Sequence, residues 1–197
     1  MIKYSEMSGK LKHIPALNTS PLNNPFCQKM YKSKKSNICN SCYSIDFLNR
    51  FRQNCIPRFT KNGEYLSEDI HPPKYLPDPP NALYVRFSAH GELINLNHAI
   101  NLFQICNKNP KTTFTLWTKR YDLVWRAIDY MGKPKNLILI YSAIRLDQDK
   151  KLPMHFDKVF IVQAKKNDKT NCFGACIDCL KCYNQEDTTT HIYEEIK

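Results

Sequence analysis

Seven of the nine cysteines fall into two groups, and their spacing is the clearest chemistry in the chain. Cys172, Cys176, Cys179 and Cys182 lie within eleven residues of one another. Cys27, Cys39 and Cys42 form the other group, closing in a Cys-x-x-Cys pair. Thiolates crowded this way make poor disulfide partners for one another but suit a soft metal ion or an iron–sulfur cluster. Nine is also an odd number, which fits badly with a fully paired disulfide framework. From the residues alone two centres stay open for each group. The tail suits four-thiolate zinc as well as a cluster. The first three cysteines suit a cluster, or zinc completed by His13. Cys55 and Cys106 stand in apolar or helical surroundings and read as small buried hydrophobes.

The totals set the frame for these thiols. A chain of 197 residues with 42% hydrophobic content is long enough to bury one core, and the simplest division is a single domain over residues 1–197. No apolar run approaches a membrane span, so no membrane is expected. The amino-terminal residues lack the apolar stretch of a secretory signal, so the expected location is the cytoplasm. Disulfides are disfavoured there, which again turns clustered cysteines toward metal chemistry. The formal charge is +11, from 29 basic and 18 acidic residues, and nucleic acid is therefore a candidate partner. Bound thiolates would remove part of that excess. With 22 lysines against 7 arginines, much of it reads as a solvated lysine surface.

The elements that must position the cysteines follow from periodicity. Residues 1–70 hold a short strand near the start, a polar loop through Pro21 to Cys27, an exposed stretch over Lys32 to Lys35, and a helix from Cys42 to about Arg52. Residues 71–81 are a proline-rich connector that can be neither helix interior nor central strand. Residues 82–165 alternate: strand 82–88, helix 95–107, strand 112–118, helix 121–131, and strands 137–141 and 159–162. Residues 166–197 are the Cys-rich tail. The expected fold is α/β, either a partial (βα) barrel or an open, mostly parallel sheet of about five to six strands. Eight βα units do not fit in this length.

In such a sheet, ligands bind beyond the carboxyl ends of the strands. Arg86, Ser88, His90, Gly91 and Glu92 follow the first central strand; Thr118, Lys119 and Arg120 the next; Ser142 and Arg145, then Gln163 and Lys165, the later ones. Both cysteine groups also follow strands, the first and the last, so one shared site on one edge is the economical expectation. Arg86 inside a strand requires an anionic partner, from the protein or from a ligand, because a lone buried charge is prohibitive. Lys119 and Arg120 read as binders of phosphate or carboxylate, or as solvated loop. Trp117 and Trp125 read as core.

Gly9-Lys10-Leu11, Ile14-Pro15-Ala16, the Cys27, Cys39, Cys42-Tyr43 group and Tyr84-Val85-Arg86-Phe87-Ser88-Ala89-His90-Gly91-Glu92 together resemble the phage-encoded gene product 88 family. Members of that family look like minimal relatives of radical S-adenosylmethionine enzymes. The resemblance spans most of the chain, with the Thr112–Lys119 strand and the Cys-rich tail extending it. It implies that Cys27, Cys39 and Cys42 bind three irons of a 4Fe–4S cluster, leaving one iron open to S-adenosylmethionine. It also implies an electron donor as partner and cleavage of that small-molecule cosubstrate to a carbon radical. Ser88 to Glu92 stands where such enzymes seat the methionine ammonium: Glu92 as acceptor, Gly91 allowing close backbone approach, with Ser88, His90 and Arg86 beside them. The first gap, eleven residues between Cys27 and Cys39, departs from the compact spacing of those enzymes. Cys172, Cys176, Cys179 and Cys182 are then a second cluster, a zinc site, or part of one shared cluster. The competing expectation is a zinc-stapled, basic nucleic-acid-binding protein without catalysis.

Overall fold

A computed structural model describes residues 2–196. Six strands form one open sheet in the order β1 (Ala16–Leu17), β2 (Tyr84–Phe87), β3 (Thr113–Thr118), β4 (Leu137–Ser142), β5 (Lys158–Gln163) and β6 (His191–Glu195). Every neighbouring pair is parallel. Strand order equals chain order, so all carboxyl ends share one edge, as expected for an α/β sheet of five to six strands.

The crossovers are less regular than the alternation implied. α4 (Leu96–Lys108) joins β2 to β3, and α5 (Tyr121–Met131) joins β3 to β4. No helix lies between β4 and β5. Three helices precede the repeating part: α1 (Pro25–Tyr31), α2 (Tyr43–Arg50) and α3 (Ile56–Glu68). α1, which begins inside the expected polar loop, α3 and β6 have no counterpart in the sequence expectations. Among the described residues no helix is long and apolar enough to cross a membrane.

The two faces of the sheet are packed by different things, and the period of two along each strand sorts the residues. Leu17, Val85, Phe87, Phe114, Leu116, Leu137, Leu139, Val159 and Ile161 face the helices, where Ala99, Leu102, Phe103, Leu123, Val124 and Ala127 complete the main core. The alternate residues Tyr84, Trp117, Ile138, Ile140 and Phe160 meet Ile14, Leu11 and the tail, through Tyr183, Ile177 and Leu180. The Cys-rich segment is thus the cover of the second face. This corrects the expected placement at the carboxyl edge. A parallel sixth strand must be entered from the opposite edge, so the chain between β5 and β6 has to run back across the sheet. Its course is marked by Cys172 N–H donating to Tyr193 C=O (3.0 Å) and by Lys158 Nζ holding Asp187 Oδ1 (2.9 Å) and Thr189 C=O (2.8 Å) at the far end. The short helix α6 (Cys176–Cys179) lies within this crossing.

Trp117 is buried, but Trp125 is 58% exposed. On α5 the inward stripe is Leu123, Val124 and Ala127, which turns position 125 to solvent. Cys106 is buried in the core, whereas Cys55 is only half-buried, with Arg58 Nη2 3.9 Å from its sulfur.

Candidate sulfur and carboxylate site

The first cysteine group is held by caps. Asn24 caps α1, its Oδ1 accepting from Phe26 N–H (2.9 Å) and Cys27 N–H (3.2 Å), with Pro25 supplying the pre-set φ of the first helical position. The same side chain donates from Nδ2 to Glu92 C=O at 2.8 Å, tying the Cys27 turn to the segment after β2. Asn37 caps the 3-10 turn Ile38–Ser41 through Cys39 N–H (2.9 Å), and Asn40 returns the bond to Asn37 N–H (2.9 Å). Ile38 N–H reaches Ile144 C=O beyond β4 (2.8 Å), which docks this loop on the carboxyl edge. Cys42 is the residue before α2. Asn24-Pro25, read from the sequence as part of a polar loop, is a cap-plus-proline pair that could have marked the start of α1.

The segment Ser88–Glu92 is built rigidly. Ser88 is buried in a left-handed conformation, φ 56°, with its N–H on Leu17 C=O (3.1 Å). His90 is buried, with Nδ1 against Ser44 Oγ (2.7 Å), its N–H on Asn18 Oδ1 (2.9 Å), and its ring stacked on Phe47 and Phe59. Burial, then the nearby Arg86 charge, lowers its pKa to about 4, so the ring stays neutral. His90 therefore fastens α2 to this segment. Gly91 has φ +81°, and a Cβ there would run into the carbonyl and hydroxyl of Thr19. The close approach it permits in this structure is to Thr19, in the chain after β1.

Glu92 is buried, and its carboxylate accepts from three protein donors. Oε1 takes Leu93 N–H (2.8 Å) and the Thr118 hydroxyl; Oε2 takes Lys119 N–H (2.8 Å). A carboxylate offers about four lone-pair positions, so one acceptor position on Oε2 remains. The Glu92 charge is also felt by the thiols. Burial pushes Cys27 far above the usual thiol range, and Glu92, Cys42 and Cys39 add to it while Lys119 opposes it. Cys39 is raised mainly by burial, then lowered by Lys119 and raised by Cys42 and Glu92. The structure thus brings Cys27, Cys39, Cys42, Glu92 and Lys119 into one neighbourhood at the carboxyl ends of β1 to β3. Lys119 Nζ also donates to Ser142 Oγ (3.0 Å), spanning to β4.

The tail cysteines form a separate neighbourhood. Cys172, Cys176, Cys179 and Cys182 bound a cavity of about 30 Å³. Cys182 is pushed up to about 12, chiefly by burial and then by Cys172, with Arg86 opposing. Lys10 Nζ lies 3.8 Å from Cys172 Sγ and 2.6 Å from Glu194 Oε1, so Gly9-Lys10-Leu11 anchors the tail. His13 is exposed in a left-handed turn, φ 70°. Among the described residues no group of three or more His, Cys, Asp or Glu side chains is gathered closely enough to hold a metal ion.

Arg86 stands between the two neighbourhoods. Its charge reaches Tyr43 and His90 on one side and Cys176, Cys182 and Tyr183 on the other. The expected carboxylate partner is missing: no described carboxylate lies within ion-pair distance. Its guanidinium lies 3.9 Å over the Trp117 ring.

The profile of the family described as Gene product 88 matches residues 7–190. The chain belongs to that family. The match takes in both cysteine groups and the whole of the Ser88–Glu92 segment, and membership in the gene product 88 family supports a phage protein. No curated protein and no solved structure matches the chain.

Proposed function

We propose that this chain is an iron–sulfur protein of radical S-adenosylmethionine-like type, in which Cys27, Cys39 and Cys42 hold the cluster and Glu92 seats the cosubstrate. The observation that carries this reading is that hydrogen bonds dock the turns bearing the three cysteines near Glu92 and Lys119, Asn24 joining the Cys27 turn to Glu92 and Ile38 joining the Cys39 turn to Ile144, at the carboxyl edge of an all-parallel sheet whose strands follow chain order.

The donor set fits the group. Burial, with the neighbouring charges, favours the neutral thiol at Cys27 and Cys39, and a bound cationic centre would stabilise their thiolate forms. When bound, a cluster of this kind supplies one-electron reduction to a sulfonium cosubstrate. The chain's own residues do the positioning. The open position on Glu92 Oε2 accepts one ammonium N–H, and Thr118, Leu93 and Lys119 fix the carboxylate that offers it. Lys119 offsets the negative charge of the thiolates. Cys172, Cys176, Cys179 and Cys182 hold a second centre, a cluster or zinc, in the cavity they bound.

The test is anaerobic incubation with S-adenosylmethionine and dithionite, reading methionine and 5′-deoxyadenosine by chromatography. The parent protein releases both. Cys42→Ala releases neither, and Glu92→Gln loses about tenfold or more, the worth of a charged hydrogen bond. Iron-replete parent protein giving no 5′-deoxyadenosine above a protein-free control would end the cosubstrate assignment.

A further inference from the structure

Arg86 is a feature of the tail-covered face that neither cysteine group explains. It lies on β2 between Val85 and Phe87, which face the helix core, so its side chain leaves the sheet on the other face. Its Nε is buried without a hydrogen-bond partner, while the residue as a whole is half-buried. A partly desolvated guanidinium with no described carboxylate within ion-pair distance carries a cost that an anionic ligand would offset. The lean of the side chain indicates where that ligand lies. Arg86 pairs in register with Thr115, yet its guanidinium sits over Trp117, two residues nearer the carboxyl ends. It therefore leans toward the end of the sheet where its charge is felt by Tyr43 and His90. Tyr43 there stays 63% exposed although its hydroxyl is fixed on Ala89 C=O (3.0 Å). Trp117 makes the platform flat, and a guanidinium held flat presents the planar fork that matches a carboxylate.

We infer that Arg86, stacked on Trp117, binds the carboxylate of a small organic-acid substrate on the face of the sheet between the two cysteine groups. This deepens the function proposed above by naming a substrate class, and it rests on that reading only for what is done to the bound acid. Glu92 takes the cosubstrate's ammonium at the edge, and Arg86 takes the substrate's carboxylate further down the face.

The test uses the full chain, purified anaerobically, in a Trp125→Phe background so that emission reports Trp117 alone. Malonate, inorganic phosphate and S-adenosylmethionine are titrated separately at low salt. The expected result is a saturable change with malonate, about tenfold weaker or more in Arg86→Lys because the fork is lost, and absent in Arg86→Met. Arg86→Met is also expected to melt no lower than the parent in ligand-free buffer, since it removes an uncompensated charge. A response to S-adenosylmethionine alone would give Arg86 to the cosubstrate and overturn the inference. A response to phosphate alone would overturn the carboxylate, and no response to any probe would overturn the site. A marked drop in melting temperature or in metal content for Arg86→Met would make Arg86 a structural counter-ion of the tail thiolates, also overturning it. Malonate binding without 5′-deoxyadenosine formation would leave this inference standing and remove the cosubstrate reading. The reverse outcome would do the opposite.

Discussion

The two faces of the sheet divide the labour of the molecule. The helix-covered face is filled by aliphatic and aromatic side chains that are almost wholly buried. The other face carries Arg86, Thr115 and Trp117 under a segment rich in cysteine, lysine and asparagine, which packs on it through Tyr183. The first face owes its stability to burial alone. The second is closed by a cover whose apolar contacts are few, through Tyr183, Ile177 and Leu180; on the function proposed above, that cover is held also by what its thiols bind.

That separation can be broken. Phe103→Ala, in the middle of the helix-side core, is expected to cost about 3–5 kcal/mol in urea denaturation. The cost should be the same before and after metal is removed by a chelator. A cost that changes with metal would show that the two faces are one cooperative unit.

Acid should strain both regions through buried neutral histidines. His90 is lowered to about 4 and His98, inside the core, to about 3, each by burial. A group with a depressed folded pKa contributes full stability above its unfolded value near 6.5 and loses it as pH falls toward the folded value. Stability should therefore decline from pH 6.5 downward, by roughly 3 kcal/mol for His90 on reaching pH 4. Denaturation curves across that range should flatten in His98→Gln. An unchanged slope would mean that His98 does not contribute to it.

Gly91→Ala sharpens the link between stability and site, because its Cβ would strike the Thr19 backbone at a φ that only glycine tolerates. It is expected to cost about 1–3 kcal/mol and to weaken S-adenosylmethionine binding through Glu92. Full cosubstrate affinity in this variant would detach Glu92 from the cosubstrate. The smallest effects belong to the tail anchor. Lys158 is buried and Asp187 partly exposed, so Asp187→Asn, which strands a buried cation, should destabilise more than Lys158→Met, by about 1–2 kcal/mol. Equal losses in thermal melts would show that the anchor is no deeper than a surface pair.

The faces also differed in how far the sequence revealed them. Leu137 to Tyr141 and Phe114 to Trp117 are apolar on both sides of the strand, and such runs announce a central parallel strand. β6 pairs on one side only and buries Ile192 alone to any depth, so His191 to Glu195 carries no comparable pattern. α3 was hidden for another reason. Its inward stripe is Phe59, Asn62, Gly63 and Leu66, and Asn62 is buried because it bonds Lys3 and Asn18 backbone groups, which breaks the apolar period. At the site, residue types showed the thiols and Glu92. The path of the tail depended on β6, and the missing partner of Arg86 depended on three-dimensional packing that no local spacing encodes.

The central claim is that Cys27, Cys39 and Cys42 grip iron and sulfide beside Glu92. Counting iron, acid-labile sulfide and zinc per chain in anaerobically purified parent, Cys42→Ala and Cys179→Ala proteins tests it most directly. The account predicts brown parent protein with about four irons and matching sulfide at this site, lost in Cys42→Ala and kept in Cys179→Ala. Colourless protein carrying only zinc, or iron that survives Cys42→Ala undiminished, would contradict it.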